Sequence, residues 1–187
     1  MVLESCITSL CSNSTINSSF NAWGVYMNGK KNVFISHHHK DDAQVDKMTS
    51  LLSKNGCDIR NSSIRAKPAN RERLDKGLVK DSTIKRLLRM KMSWAGTVIA
   101  LVGKETHSRP WVNWEIKEAQ RQGKNIVGVY EHGLKDKVDL PEALKSYGTS
   151  QVGWDSDSII NAINGNPSFQ NPDGSQCPRQ DGYHGVC

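Results

Sequence analysis

Nowhere in these 187 residues does an apolar run approach the roughly 18 positions that a membrane-crossing helix needs, so no transmembrane segment is expected. Paired cysteines are missing too. The five (Cys6, Cys11, Cys57, Cys177, Cys187) are odd in number, four lie near the ends, and none has CxxC spacing, which argues against a disulfide framework or a zinc site. Cys57, inside an expected strand, reads as a small buried hydrophobe. Glu4 is the only early charge and no leader-length apolar run follows it, so a secretory signal is not expected and the cytoplasm is the default compartment. Aromatic residues are scarce and no nucleic-acid-binding motif accompanies the basic excess, which ranks nucleic acid below a nucleotide as the anion to be bound.

What is present is an alternation of strand and helix signals over residues 31–164. Short apolar runs rich in β-branched residues occupy 33–36 (Val-Phe-Ile-Ser), 97–102 (Thr-Val-Ile-Ala-Leu-Val) and 125–130 (Asn-Ile-Val-Gly-Val-Tyr), the composition of strands buried on both faces. Weaker strand signals lie at 57–60 and 151–152. Val45, Met48, Leu51 and Leu52 recur at helical spacing after the capping candidates Asp41 and Asp42, with Gly56 closing the turn. Ile84, Leu87 and Leu88 predict a second helix after Ser82. A third begins at Pro110, carries Val112, Ile116 and Ala119 on one stripe, and stops at Gly123; a closing helix is expected over 155–164. Alternation of this kind predicts an α/β fold, a mostly parallel five-stranded sheet with helices on both faces. Residues 1–30, rich in Ser, Asn and Thr, read as a flexible extension, and residues 165–187, rich in Gly and Pro, as a flexible tail.

The net charge of +6 is concentrated, since residues 60–92 hold eleven basic side chains against three acidic ones. Most of these read as a solvated loop and helix face. Arg71 or Arg73, in the loop after the second strand, are candidates to meet a phosphate.

In parallel α/β sheets ligands bind outside the carboxyl ends of the strands, and residues 36–42 and 103–110 both follow a strand end. Glu115 lies four residues after Trp111, beside the stripe of Val112, Ile116 and Ala119, and its side chain leans toward the helix start and hence toward that edge. A surface carboxylate paired with a base is the alternative for a helical glutamate. His37, His38 and His39 raise the question of a metal, but no carboxylate or cysteine at ligand spacing completes a site, and a contact from histidine to hydroxyl or phosphate is preferred.

These segments resemble the TIR domain pattern, in which a strand ending Phe-Ile-Ser (Phe34, Ile35, Ser36) opens the fold and a Trp-x-x-x-Glu-Ile segment (Trp111 to Ile116) carries a glutamate. The chain is more closely similar to the TIR-like proteins of the bacterial Thoeris anti-phage system and their MTH538-type relatives. That similarity rests on Phe34 to His38, Asp41, Asp42, Leu87 to Arg89, Ser93, Val102, Gly103, Thr106, Trp111, Val112 and Trp114 to Ile116. The resemblance implies a flavodoxin-like fold and cleavage of NAD+ at the nicotinamide–ribosyl bond, with recyclisation to a cyclic ADP-ribose in Thoeris members. It makes Glu115 the catalytic residue, and Phe34, Ser36, His37, His38, Asp42 and Trp111 contacts to NAD+, which is substrate; no cofactor is implied. Self-association through TIR surfaces and a downstream receptor for the cyclic signal are the implied partners.

The chemistry is coherent with a lone carboxylate. Breaking the bond to a cationic pyridinium builds oxocarbenium charge on the ribose, and nicotinamide departs neutral without a strong general acid. Two other classes compete. A non-enzymatic TIR module would assemble through the basic 60–92 region. A phosphoreceiver would use Asp41 and Asp42 as its acidic pair, but it needs an aspartate where Gly103 ends the third strand.

Overall fold

The computed structural model describes residues 30–37, 42–61 and 80–179. Five strands, β1 (Lys31–Ser36), β2 (Cys57–Asn61), β3 (Thr97–Val102), β4 (Asn125–Tyr130) and β5 (Ser150–Val152), form one sheet in the order β2-β1-β3-β4-β5. Every pairing is parallel. That order defines the flavodoxin-like doubly wound fold, as expected. The helices are α1 (Asp42–Lys54), α2 (Asp81–Ser93), α3 (Pro110–Arg121), α4 (Glu142–Tyr147) and α5 (Ser156–Ile163).

The alternation of side chains along a strand divides the core into two layers. Val33, Ile35, Ile99, Leu101, Val127 and Val129 meet Val45, Met48 and Leu52 of α1 and Ile159, Ala162 and Ile163 of α5. Phe34, Val98, Ala100, Val102 and Ile126 meet α2, α3 and α4 through Ile84, Leu88, Met92, Val112, Ile116, Ala119 and Leu144. Strands buried on both faces must be continuously apolar, which is why β3 is buried at all six positions. The connection after β1 thus leaves to one face and that after β3 to the other. The carboxyl ends of these neighbouring strands are therefore the topological switch point, where sheets of this kind place their ligands.

Helix boundaries follow local chemistry. Gly56 and Gly123 take φ values of 75° and 64°, the left-handed turn that ends α1 and α3. Asp155 caps α5 by accepting a hydrogen bond from the Ser158 N–H at 2.9 Å.

Three expectations need correction. Leu87 does not belong to the buried stripe of α2, which is Ile84, Leu88 and Met92; Leu87 is 39% exposed. Helix α4 was not expected, because six residues with Ala143 and Leu144 as their buried pair are too short for a helical period to stand out. The C-terminal stretch is not a loose tail over 165–179. It docks on the outer edge of β5: the Gln151 N–H donates to Ser168 O, the Gln170 N–H donates to Gln151 O (both 2.7 Å), and Gln170 pairs back with Gln176. Main-chain and amide bonding hold it, so its low apolar content misled. Residues 1–29, 38–41, 62–79 and 180–187 lie outside the described part, and with them the remaining expectations for both termini.

Gln170 is the clasp of this docking. Its Oε1 accepts from the Gly153 N–H at 2.9 Å, its Nε2 donates to Ser158 Oγ at 3.3 Å, and its main-chain oxygen accepts from Gln151 Nε2 at 3.2 Å. Gln170→Ala would leave the buried Gly153 N–H without its acceptor, so an unfolding free energy lower by about 1–3 kcal/mol is expected in urea titration. An unchanged midpoint would refute the clasp.

Candidate functional site

Ser36 ends β1 and alternates with Phe34 onto the α3 side of the sheet. Glu115 sits one turn into α3, and its Oε2 accepts a hydrogen bond from Ser36 Oγ. Both are buried, with 0% and 3% exposure. The two segments singled out in the sequence, separated by 79 positions, therefore meet in one contact at the carboxyl edge. Glu115 lies deeper than expected, inside the core boundary and not on its flank.

Positioning of Glu115 begins at the end of β3. Gly103 N–H donates to Thr106 Oγ1 at 2.8 Å while Thr106 N–H donates to Gly103 O at 3.2 Å, a reciprocal clamp that starts the single turn over Thr106–Ser108. Pro110 then opens α3, where its missing N–H costs nothing. The first turn of α3 has no side-chain cap and no acidic residue, so its amides give the carboxyl edge a positive end. Asn113 fixes the helix against the next layer: its Oδ1 accepts from the Ala143 N–H at 2.9 Å.

Burial dominates the electrostatics. It pushes the Glu115 carboxyl up from 4.5 to about 8, against the opposing pull of the Ser36 hydroxyl and the Lys91 ammonium. Lys91, on α2, donates to Asn61 O at 3.2 Å. It escaped notice in the sequence as one of eleven bases in a run, with nothing local to separate it from the solvated ones.

The remaining expected contacts separate. His37 ends the described part of the first turn with its side chain 2% exposed, and its Nε2 lies 3.7 Å from Asp42 Oδ1 at the start of α1. Phe34 is a core residue with no exposed surface, packed against the α2–α4 layer. Trp111 is half-buried and faces its own helix and α2: its ring meets Trp114 edge to face at 5.8 Å, with Lys85 Nζ 5.7 Å from both rings. His38, His39 and Asp41 lie outside the described residues, as do Arg71 and Arg73. Among the described residues no group of three His, Cys, Asp or Glu side chains could hold a metal ion, and no helix is long and apolar enough to cross a membrane.

A second buried carboxylate on α3 was missed. Glu118, 5% exposed, accepts from Arg89 Nε at 3.2 Å, Arg121 Nη1 at 3.0 Å and Gln122 Nε2 at 3.0 Å. Burial opposes its ionisation, but these donors together hold its pKa below the ordinary value. It is therefore ionised and structural, joining α2 to α3, whereas among the described residues Glu115 is hydrogen-bonded to one hydroxyl.

The family model for the Thoeris protein ThsB, TIR-like domain, matches residues 34–136. A protein of Bacillus cereus (strain MSX-D12) named "Putative cyclic ADP-D-ribose synthase ThsB1" is 26% identical over 113 residues, 57% of this chain and 55% of its own length. The aligned part thus spans little more than half of that relative. Among solved structures, one described as Clostridium botulinum CMP N-glycosidase, BcmB, shares 13% identity at a TM-score of 0.39, covering 74% of this chain and 87% of the other. A conserved protein from Enterococcus faecalis V583 shares 14% identity at a TM-score of 0.49, covering 73% and 98%.

A carboxyl whose pKa is higher folded than unfolded binds its proton more tightly in the native state. Its stabilising contribution is complete below pH 4.5 and is lost as pH rises through about 8. Glu115→Gln has no such proton. The variant should gain stability relative to wild type progressively between pH 4.5 and 8 and hold that gain above it. Melting temperatures of both proteins across this range provide the check, and parallel curves would contradict the burial argument.

Proposed function

This chain belongs to the TIR-like domain family of the Thoeris protein ThsB, and on that premise we propose that it cleaves NAD+ at the nicotinamide–ribosyl bond and returns a cyclic or linear ADP-ribose as a signal in anti-phage defence. The observation that carries the reading is the buried Ser36–Glu115 contact at the carboxyl ends of β1 and β3. A carboxylate sequestered from water is the group that best stabilises a ribosyl oxocarbenium ion, because nothing screens it. The uncapped start of α3 and the Lys91 ammonium favour the anionic pyrophosphate and the ionised form of Glu115.

In the proposed reaction the C1′–N bond breaks with its electron pair passing to the nicotinamide nitrogen, so the leaving group departs neutral. Glu115 holds the ribose hydroxyls and faces the positive charge left at C1′; Ser36 keeps the carboxylate aimed. Water captures C1′ and loses a proton to give ADP-ribose. Attack by a nucleophilic atom of the same molecule, with loss of its proton where it carries one, gives the cyclic product. The name of the B. cereus relative supports the cyclic outcome.

A scaffold reading has one observation behind it. Leu87 and Met90, 39% and 63% exposed, lie together on the outer face of α2 among basic side chains, a surface suited to self-association.

The deciding measurement is nicotinamide release from NAD+ at several protein concentrations, with chromatography of the ADP-ribose products. Wild type should release nicotinamide and Glu115→Gln should lose at least about a hundredfold, the usual scale for removing one key electrostatic stabiliser. Because Glu115 must be ionised, kcat/KM should fall about tenfold per pH unit below about 8 and level off above it. Release that survives in Glu115→Gln would overturn the proposal. No release at any concentration, with association lost on Leu87→Asp, would favour the scaffold.

A further inference from the structure

A second carboxylate occupies the same carboxyl edge. Strands β3 and β4 pair residue for residue from Thr97↔Asn125 to Val102↔Tyr130, so Gly103 and Glu131 emerge side by side. The Glu131 carboxylate folds back over Gly103: a Cβ built on residue 103 would lie 2.4–2.6 Å from its three terminal atoms. Only glycine leaves room for it there. Its backbone is fixed at both ends, since Glu131 N–H donates to Val102 O and Leu134 N–H to Glu131 O, each at 3.0 Å. The next residue is clamped as well. Gln44 of α1 accepts from the His132 N–H at 3.2 Å and donates to His132 O at 3.4 Å. The His132 ring stands perpendicular to Trp154 at 5.6 Å, an aromatic corner beyond the end of β5.

The register places this carboxylate relative to Ser36. Ser36 lies opposite Ala100, so Gly103 is one strand across and three residues further out, about 5 Å and about 10 Å respectively. One dinucleotide, with two riboses joined through a pyrophosphate, can reach from Ser36 and Glu115 to such a position. A carboxylate accepts hydrogen bonds at two oxygens with about four lone-pair directions, enough for a ribose diol beside the contact it already has within the fold. It repels a phosphate on the same ribose. Lys104, next to Gly103, is engaged with Asp136 at 3.3 Å.

Resting on the proposed NAD+ reading, we infer that Glu131 accepts hydrogen bonds from the adenosine-side ribose hydroxyls and makes the site select NAD+ over its 2′-phosphorylated form. Calorimetric binding of ADP-ribose and of 2′-phospho-ADP-ribose tests this without turnover. Wild type should prefer ADP-ribose by roughly tenfold or more, the scale of a charge-assisted hydrogen bond. Glu131→Gln should lose most of that preference, and Gly103→Ala, which displaces the carboxylate without removing it, should act in the same direction. Melting temperatures establish that each variant is folded, and Glu131→Gln answers the question if Gly103→Ala is not. Equal binding of the two ligands by wild type, no binding of either, or an unaltered preference in Glu131→Gln would overturn the inference. If the preference is unaltered while Glu115-dependent nicotinamide release persists, this inference alone fails. A preference abolished by Glu131→Gln in a protein that releases no nicotinamide would instead sink the NAD+ cleavage reading and leave the nucleotide subsite standing.

Discussion

An ionisable group taken out of water, hydrogen-bonded among the described residues to one hydroxyl, is the constraint around which this domain is arranged. The Glu115 carboxyl is costly to bury in its charged form, and the fold accepts that cost at one place, where the connections after β1 and β3 part to opposite faces of the sheet. The two carboxylates of α3 differ in how their charge is compensated. Glu118, only three residues on, is surrounded by two guanidinium groups and an amide and stays charged. Glu115 is left under-compensated. A site that neutral packing would have made more stable is the usual mark of a group retained for chemistry.

The layers around it supply rigidity. Ser36 is carried by a strand paired on both sides, and α3 is held by the Thr106 clamp at its approach, by Asn113 against α4 and by Glu118 against α2. The aim of a carboxylate within a few tenths of an ångström depends on such support, because a preorganised dipole stabilises a developing charge only if it need not move to meet it.

Much of this was legible in the sequence, and the legible part has a common physical origin. Strands β3 and β4 were bounded correctly because burial on both faces forces an unbroken β-branched run. Glu115 was legible through its neighbours: Trp111, Val112 and Ile116 fix its angular place on α3, and Phe34 to Ser36 fix the strand it must meet. What was hidden depended on partners distant in sequence. Nothing local told Phe34, which points into the core, from Ser36, which meets Glu115, although they share a face. Glu131 carries no motif; its one signal is that β3 and β4 have equal lengths, which puts Gly103 and Glu131 at matching ends. The docking of residues 165–179 uses amide and main-chain bonds, to which hydropathy is blind.

That docking settles how the sheet meets other chains on its β5 side. A neighbouring polypeptide seeking a main-chain partner there finds the N–H and C=O of Gln151 already bonded to Ser168 and Gln170. Further along, Gly153 lies so close to Gly174 that even a methyl group between them would be crowded at 3.3 Å. Strand addition, the step by which exposed edges seed domain swapping and fibres, is closed off on that flank by the chain's own continuation. The protein thus carries its own protection against edge-to-edge aggregation in a segment whose composition resembles that of a linker.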